Sequence, residues 1–397
     1  MTHPSDPRRR RLLGALLAAG AAQPWSSLSL AASGNSSGNR LIVVILRGGI
    51  DGLSAVPALG DPHFAAARGA LGQFAAPALA LDKVFALHPE LAQLHSMFGR
   101  GELAVVHAVG LPYRERSHFD AQQVLESGGT RPFELSTGWL ARALGQGSAK
   151  AIALNTTVPL VLRGLSTVDT WAPSVLPEPS VDLVARLERL YETDPALATA
   201  LARAKALHFG STLPAEMVGG MGGRANNFAT LAQRTVDFLV APNGPQVAVL
   251  ELGGWDTHAN QSNPNGPLAN NLRQLDAGLA TLRDGLSPSG TWKRTVVVVS
   301  SEFGREVAIN GTQGTDHGTG GMALVLGGAV SGGRVIADWP GLAKKDRFEG
   351  RDLRITTDLR SVFKGVLADH LQVSERSLNT EVFPGSEGVK RLALLRD

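Results

Sequence analysis

"LIVVILRGGIDGLS", residues 41–54, opens on six consecutive apolar residues, four of them β-branched, and closes on a glycine-rich turn that carries Asp51. A run this short, apolar on both faces and rich in β-branched side chains, is the pattern of a central parallel strand covered by helices on each side. The pattern returns at "LAVVH" (103–107), "AIAL" (151–154), "VAVLEL" (247–252), "TVVVVS" (295–300) and "MALVLGG" (322–328). Helical periodicity fills the intervals, beginning near Glu90 in "ELAQLHSMF" and covering 181–192, 196–207, 268–286 and 357–371. Buried strands alternating with amphipathic helices predict an α/β fold, a doubly wound, mostly parallel central sheet flanked by helices. The mostly helical stretch 160–245 reads as an insertion within a single domain spanning 41–397.

The ends of the chain and its charge narrow the class further. Four arginines, Arg8 to Arg11, against Asp6 carry as much positive charge as the whole chain, whose net charge is +3. The remainder is therefore close to neutral, which leaves no basic stripe for a nucleic acid. "RRRRLLGALLAAGAA" joins a basic segment to an apolar stretch, Leu12 to Ala22, too short to span a bilayer as a helix. The Arg-Arg-x-Leu-Leu order of residues 9–13 reads as a twin-arginine export signal over 1–32, followed by a polar linker, 33–40. That address predicts a periplasmic or extracellular protein with no transmembrane segment in its mature chain. With no cysteine in 397 residues, disulfides and thiolate metal sites are excluded, and a metal would rest on oxygen and imidazole.

Polar signals cluster where the apolar runs end. Asp51 follows the first run; His107 closes "LAVVH" and leads through "AVGLPYRER" to "SHFDAQ"; "GGWDTH" follows "VAVLEL"; "SEFGR" follows "TVVVV"; "GTDHGTGG" precedes "MALVL". In an open parallel sheet, ligands bind outside the carboxyl ends of the strands. Five distant segments would thus aim Asp51, Ser117, His118, Asp256, His258, Glu302, Asp316 and His317 at one rim, with Asp51, Asp256, His258, Glu302, Asp316 and His317 as metal ligands. His118, His107, Arg305 and Arg116 would stand behind them or on the substrate. Carboxylate and imidazole suit one or two divalent ions, with Zn²⁺, Mn²⁺, Mg²⁺ and Ca²⁺ all open. Ser117, ahead of a helix with Asp120 three residues on, reads either as an N-cap in a capping-box pattern or as a nucleophile at a helix N-terminus. Trp255 reads as a packing wedge and His88 as structural.

As a set, "LRGGIDGLS", "LHPEL", "VVHAVG", "RSHFDAQ", "GWDTHANQ", "SEFGR" and "GTDHGTGG" resemble the bacterial family catalogued as domain of unknown function 1501, over roughly 40–395. The resemblance implies a place in the alkaline phosphatase-like superfamily, with phosphatases, sulfatases and phosphoglycerate mutases, a mixed central sheet and a two-metal site. Carried over, Asp51 resembles a ligand of the second metal and Ser117 the covalent nucleophile. Asp256, His258 and His317 resemble the ligands of the first metal. Glu302 stands where an Asp-His pair normally serves the second, and the following residue, Phe303, departs from that pattern.

Two functions remain open at this point. One is an exported metal-dependent hydrolase of phosphate or sulfate esters acting on a small anionic ester or envelope glycan, with Ser117 attacking over a one- or two-metal site. The other is a non-catalytic metal-binding envelope or assembly protein that kept the fold. The Ser-x-Pro-x-Arg context of modified sulfatases is absent after Ser117, and no G-x-G-x-x-G turn follows the first strand.

Overall fold

The computed structural model describes residues 38–145, 149–165, 167–173, 179–209, 228–262 and 265–396. The predicted signal segment, most of the linker, and the "LPE" and "GGMGGRANN" parts of the predicted insertion lie outside them. The strands are β1 (Arg40–Leu46), β2 (Leu79–Ala80), β3 (Ala86–Leu87), β4 (Leu103–Gly110), β5 (Ala151–Ala153), β6 (Val168–Thr170), β7 (Val247–Leu252), β8 (Thr295–Ser301), β9 (Gly321–Leu326), β10 (Arg334–Ile336) and β11 (Thr357–Asp358). The main helices are α1 (Gly52–Ala55), α2 (Phe64–Arg68), α3 (Ala92–Gly99), α4 (His118–Ser127), α5 (Trp139–Leu144), α6 (Val181–Tyr191), α7 (Pro195–Phe209), α8 (Phe228–Val240), α9 (Pro267–Leu286) and α10 (Leu359–Leu371).

The central sheet runs β10-β4-β9-β8-β1-β7-β5-β6, with β11 also on β4. β1 lies between β7 and β8 and is parallel to both. Its alternating side chains feed two separate cores. Ile42, Val44 and Leu46 pack with Leu272, Leu275 and Leu279 of α9; Leu41, Val43 and Ile45 pack with Val362, Phe363 and Val366 of α10. Each such buried side chain contributes about 1.5–3 kcal/mol relative to exposure, an upper figure for a chain already collapsed when unfolded. A strand apolar on both faces is thereby satisfied only between two helical layers. The fold is the α/β architecture expected, a mixed, mostly parallel sheet with helices on both sides.

One strand breaks the parallel order. β9 is antiparallel to both β8 and β4. Its beginning, not its end, therefore lies at the rim where β1, β4, β7 and β8 finish. This explains why "GTDHGTGG" precedes its strand while the other polar segments follow theirs. β6, β10 and β11 carried no sequence signal because they are two or three residues long and partly exposed.

β4 runs past His107 to Gly110, with a bulge at Ala108, whose φ is +53°. His107 is therefore not at the rim, and its expected role there is corrected. Its fully buried ring stacks on Phe85, its Nε2–H donates to the Val56 carbonyl at 3.0 Å, and its Nδ1 accepts the Ala108 N–H at 2.8 Å. Both ring nitrogens are satisfied by the neutral form, and a second proton would face the Ala108 N–H.

Burial lowers the His107 pKa to about 4, against the backbone carbonyl of Val56, which works to raise it. Because the unfolded chain takes up this proton near its ordinary value of 6.5, stability present above about pH 6.5 is lost as pH falls toward 4. The loss reaches about 3 kcal/mol. His88 is shifted in the same direction, so the diagnostic quantity is a difference. Urea unfolding of the wild type and His107→Gln at pH 7 and pH 4.5 should show a smaller pH-dependent loss in the variant; equal losses would remove His107 from this account.

Candidate functional site

The carboxyl end of β7 runs into Gly253, Gly254, Trp255 and Asp256. Trp255 is fully buried and its indole N–H donates to the Leu252 carbonyl at 2.9 Å, which wedges the loop under the rim. Gly254 sits at φ +89°, and a Cβ there would stand 2.8 Å from Asn271 Nδ2, whose amide holds the Gly254 carbonyl. Gly253 has open space around a Cβ and no such backbone demand. Below this loop, Gly48 at φ +120° lets the β1 turn pass under Asp256, whose backbone nitrogen a Cβ would meet at 2.6 Å.

Asp256 meets three imidazoles. His118, Asp256 and His317 offer ligand atoms that all lie within 4.8 Å of one another. His118 Nε2 is 3.0 Å from His317 Nε2 and 3.4 Å from Asp256 Oδ2. His317 Nε2 is 3.0 Å from Asp256 Oδ1. His258 Nε2 joins them, 3.1 Å from His317 Nε2 and 2.9 Å from Asp256 Oδ1. The opposite nitrogen of each ring faces an acceptor. His118 Nδ1 is 2.9 Å from Glu302 Oε1, His258 Nδ1 is 3.0 Å from Asp316 Oδ1, and His317 Nδ1 is 3.0 Å from the Arg116 carbonyl.

Those acceptors decide the tautomers. An ionised carboxylate and a carbonyl can only accept, so each Nδ1 must donate. Each ring, its Nδ1–H committed, then turns Nε2 toward the other rings and a carboxylate. Apart from Arg305, which donates to Asp256 Oδ1, these groups are the acceptors that a shared proton or a cation would bridge.

The charges around it agree. The hydrogen bond to Glu302 raises the His118 pKa, with burial opposing it, whereas burial lowers that of His317. Burial would raise the carboxyl of Glu302, but bonds from His118, Gln122 and the Gly48 N–H prevail and hold it below the usual range. Burial likewise opposes the ionised form of Asp256, and the bond and charge of Arg305 outweigh it. Asp316 is held low by the Asn310 amide, then by His258. The face toward solvent stays open: the side chains of His258 and Asp256 are 44% and 41% exposed.

Several expected positions change. Glu302 does not face the centre. Its side chain is fully buried and receives the Gly48 N–H at 2.8 Å, His118 at 2.9 Å and Gln122 Nε2 at 3.1 Å. Asp316 likewise stands behind His258. His118, expected behind the ligands, is among the converging nitrogens. Arg116 spends its guanidinium on Asp352 at 2.8 Å and Glu349 at 2.6 Å, and it meets the centre only through its carbonyl. Arg305 is fully buried and donates to Asp256, the Gly48 carbonyl and Thr315, so it faces no substrate.

Asp51 also stands apart. It caps α1 through the N–H groups of Leu53 and Ser54, pairs with the fully buried Arg68, and accepts the Gln261 amide. Arg68 thus neutralises this carboxylate from within the fold. Phe303 occupies the neighbouring position, its ring centroid 4.7 Å from that of His118 and 5.1 Å from that of His317. Ser117 has N-cap backbone geometry, but its hydroxyl accepts no N–H of the first turn. Asp120 accepts the Tyr113 hydroxyl at 3.1 Å instead, so the capping box does not form. His88 lies elsewhere, edge-on to Phe74, with Nδ1 accepting the Glu90 N–H at 3.2 Å.

Residues missed from sequence include Gln122, Gln261, Thr315 and Arg68. Gln122 had a readable signal, four residues after His118 and hence on the same helix face. Arg68, a lone arginine closing an apolar helix, had a weaker one. Gln261 and Thr315 had none, since their role arises only when two loops meet. Among the described residues, no helix is long and apolar enough to cross a membrane.

The model of a family described as "Protein of unknown function (DUF1501)" matches residues 38–382. No curated protein matches. Among solved structures, the chain is similar to Ps i-CgsB at 11% identity and a TM-score of 0.44, covering 89% of this chain and 77% of that one. It is similar to the lipoteichoic acid synthase LtaP of Listeria monocytogenes at 10% identity and a TM-score of 0.42, covering 87% and 76%. It is also similar to the phosphonate monoester hydrolase of Agrobacterium radiobacter at 12% identity and a TM-score of 0.39, covering 90% and 79%.

The two glycines before Trp255 make opposite predictions. Gly253→Ala should change stability by no more than about 0.5 kcal/mol. Gly254→Ala should cost about 1–2 kcal/mol for the left-handed backbone alone. Thermal unfolding of both variants tests this, and equal midpoints would show that the loop needs neither glycine.

Proposed function

This chain belongs to the DUF1501 family, and we propose that it is a metal-dependent hydrolase of phosphate or sulfate esters built on a single-cation centre. The observation that carries the reading is the convergence of three imidazole Nε2 atoms on Asp256 with every Nδ1 already tied to an acceptor. Ring nitrogens of metal-bound histidines are held in this manner, by carboxylate or carbonyl on the far side. The donor set fits the cation. Three imidazoles and one carboxylate suit a borderline ion such as Zn²⁺, and suit Ca²⁺ or Mg²⁺ poorly, since those prefer oxygen. Mn²⁺ ranks between.

In this reading His118, His258, His317 and Asp256 hold the ion. When bound, it supplies Lewis-acid charge to a phosphoryl or sulfuryl oxygen. Glu302, Asp316 and the Arg116 carbonyl keep the three rings turned inward. Arg305 holds Asp256 ionised and in place. Ser117, next to His118 in the chain and with a hydroxyl not engaged by the helix, is the nucleophile: its oxygen bonds to phosphorus or sulfur as the ester's alcohol leaves with the serine proton, and water then hydrolyses the seryl ester, releasing phosphate or sulfate and restoring the hydroxyl. The motif resemblance supplies the reaction class. The pairing of Asp51 with Arg68 and the ring of Phe303 favour one ion over two. The Arg-Arg-x-Leu-Leu leader supports export with the metal already inserted.

Elemental analysis of the purified protein is expected to give about one transition ion per chain, and His118→Ala or His317→Ala to abolish it. Glu302→Gln should keep the fold but weaken zinc binding about 10–100-fold. With p-nitrophenyl phosphate, bis-p-nitrophenyl phosphate and p-nitrophenyl sulfate as probes, Ser117→Ala should lower turnover on the order of 10³-fold or more. Full metal occupancy with no turnover of any ester would instead favour a metal-holding envelope protein.

A further inference from the structure

An open groove lies beside the centre, on the outer side of α4. One wall is α4 itself, with Phe119, Gln122 and Gln123; the other is the chain after β5, with Asn155, Thr157 and Arg163. The two sites touch through Gln122, which lines the groove and donates to Glu302 at 3.1 Å, and through Phe119, which follows His118 in the chain.

The lining has a particular chemistry. Phe119 is 85% exposed, so its ring offers an apolar face that the fold itself does not cover. Around it stand amides and a hydroxyl, groups that pair with ligand hydroxyls in either role. Gln123 Oε1 is buried and has no hydrogen-bond donor. Unmet acceptors of this kind are costly unless a partner arrives. On the floor, Arg47 is spent on Glu126 at 2.8 Å and Glu251 at 2.7 Å. Arg163 has no side-chain partner among the described residues, and it is the guanidinium left for an anionic group. An extended peptide is a poorer fit, because it would need a free strand edge. The nearest strand, β5, is paired on both sides, with β6 and β7.

We infer that this groove binds the body of an anionic oligosaccharide, with a sugar face stacked on Phe119, hydroxyls on Gln123, Asn155 and Thr157, and a sulfate, phosphate or carboxylate substituent on Arg163. The inference rests on the hydrolase reading only for where the ester group goes. Binding in the groove needs no metal.

The test uses the full chain, zinc-loaded and chelator-treated, on an array of sulfated, phosphorylated, uronate-bearing and neutral oligosaccharides. Retention of anionic oligosaccharides over neutral ones is expected in both preparations. Calorimetry with a retained sulfated oligosaccharide should show Phe119→Ala weakening binding about 10-fold. Arg163→Gln should weaken it similarly and flatten its salt dependence. Both residues are exposed, so unfolding midpoints and zinc content should not move. Retention by a protein that takes up no zinc when loaded would support the groove while removing the hydrolase reading. The inference is overturned if no oligosaccharide is retained, if both variants bind like the wild type, or if neutral sugars bind as well as anionic ones.

Discussion

The reversal of one strand is the constraint on which this protein depends. β1, β4, β7 and β8 deliver their loops to one rim because they run the same way, and β9 runs against them. A six-residue strand is about 20 Å long. Were β9 parallel to its neighbours, His317 would begin at the far end of the sheet, out of reach of His118 and Asp256. Antiparallel pairing at two interfaces thus carries a functional consequence larger than its hydrogen bonds. β1, paired with β8 on one side and β7 on the other, lies in the middle of that rim, where an open α/β sheet leaves its crevice.

Beneath that crevice a continuous polar ladder replaces apolar packing. Arg68 pairs with Asp51, Asp51 takes the Gln261 amide, and Gln261 Oε1 accepts the hydroxyls of Thr257 and Thr315, each at 2.8 Å. Thr315 in turn meets Arg305, which holds Asp256. Burying a charge without a partner costs several kcal/mol, so each step depends on the next. The ladder ties the loops after β1, β7 and β8 to the segment before β9. Asp256 is consequently set by four stretches of chain, even though its own side chain is partly exposed. Substitution within the ladder is expected to be felt at the rim for the same reason.

Much of this was legible in the sequence. The buried runs at 41–46, 247–252 and 295–300 formed the strands predicted, because continuous β-branched segments have no comfortable place except between two helical layers. The residues of "GWDTH", "SHFD", "SEFGR" and "GTDHG" were recognised as one group, and they do meet. Depth is what the sequence does not show: read from sequence, Glu302 and Asp316 face the centre and His118 stands behind it, and the structure has the opposite order. The order is reversed because a carboxylate and an imidazole that contact each other look the same in one dimension whichever of them points inward.

Residue type and strand pattern therefore determined by themselves the fold class, the rim that carries the polar segments and the oxygen-and-imidazole chemistry available there. Those follow from local properties: β-branching, apolar period, the absence of thiols. Only the tertiary structure decided that Asp51 is closed by Arg68, that Arg305 and Arg116 are engaged by carboxylates, that His107 belongs to the core, and which nitrogen of each ring faces the centre. These are contacts between residues up to hundreds of positions apart. Their outcome depends on burial and on which charge is neutralised by which neighbour, quantities that exist only once the chain has folded.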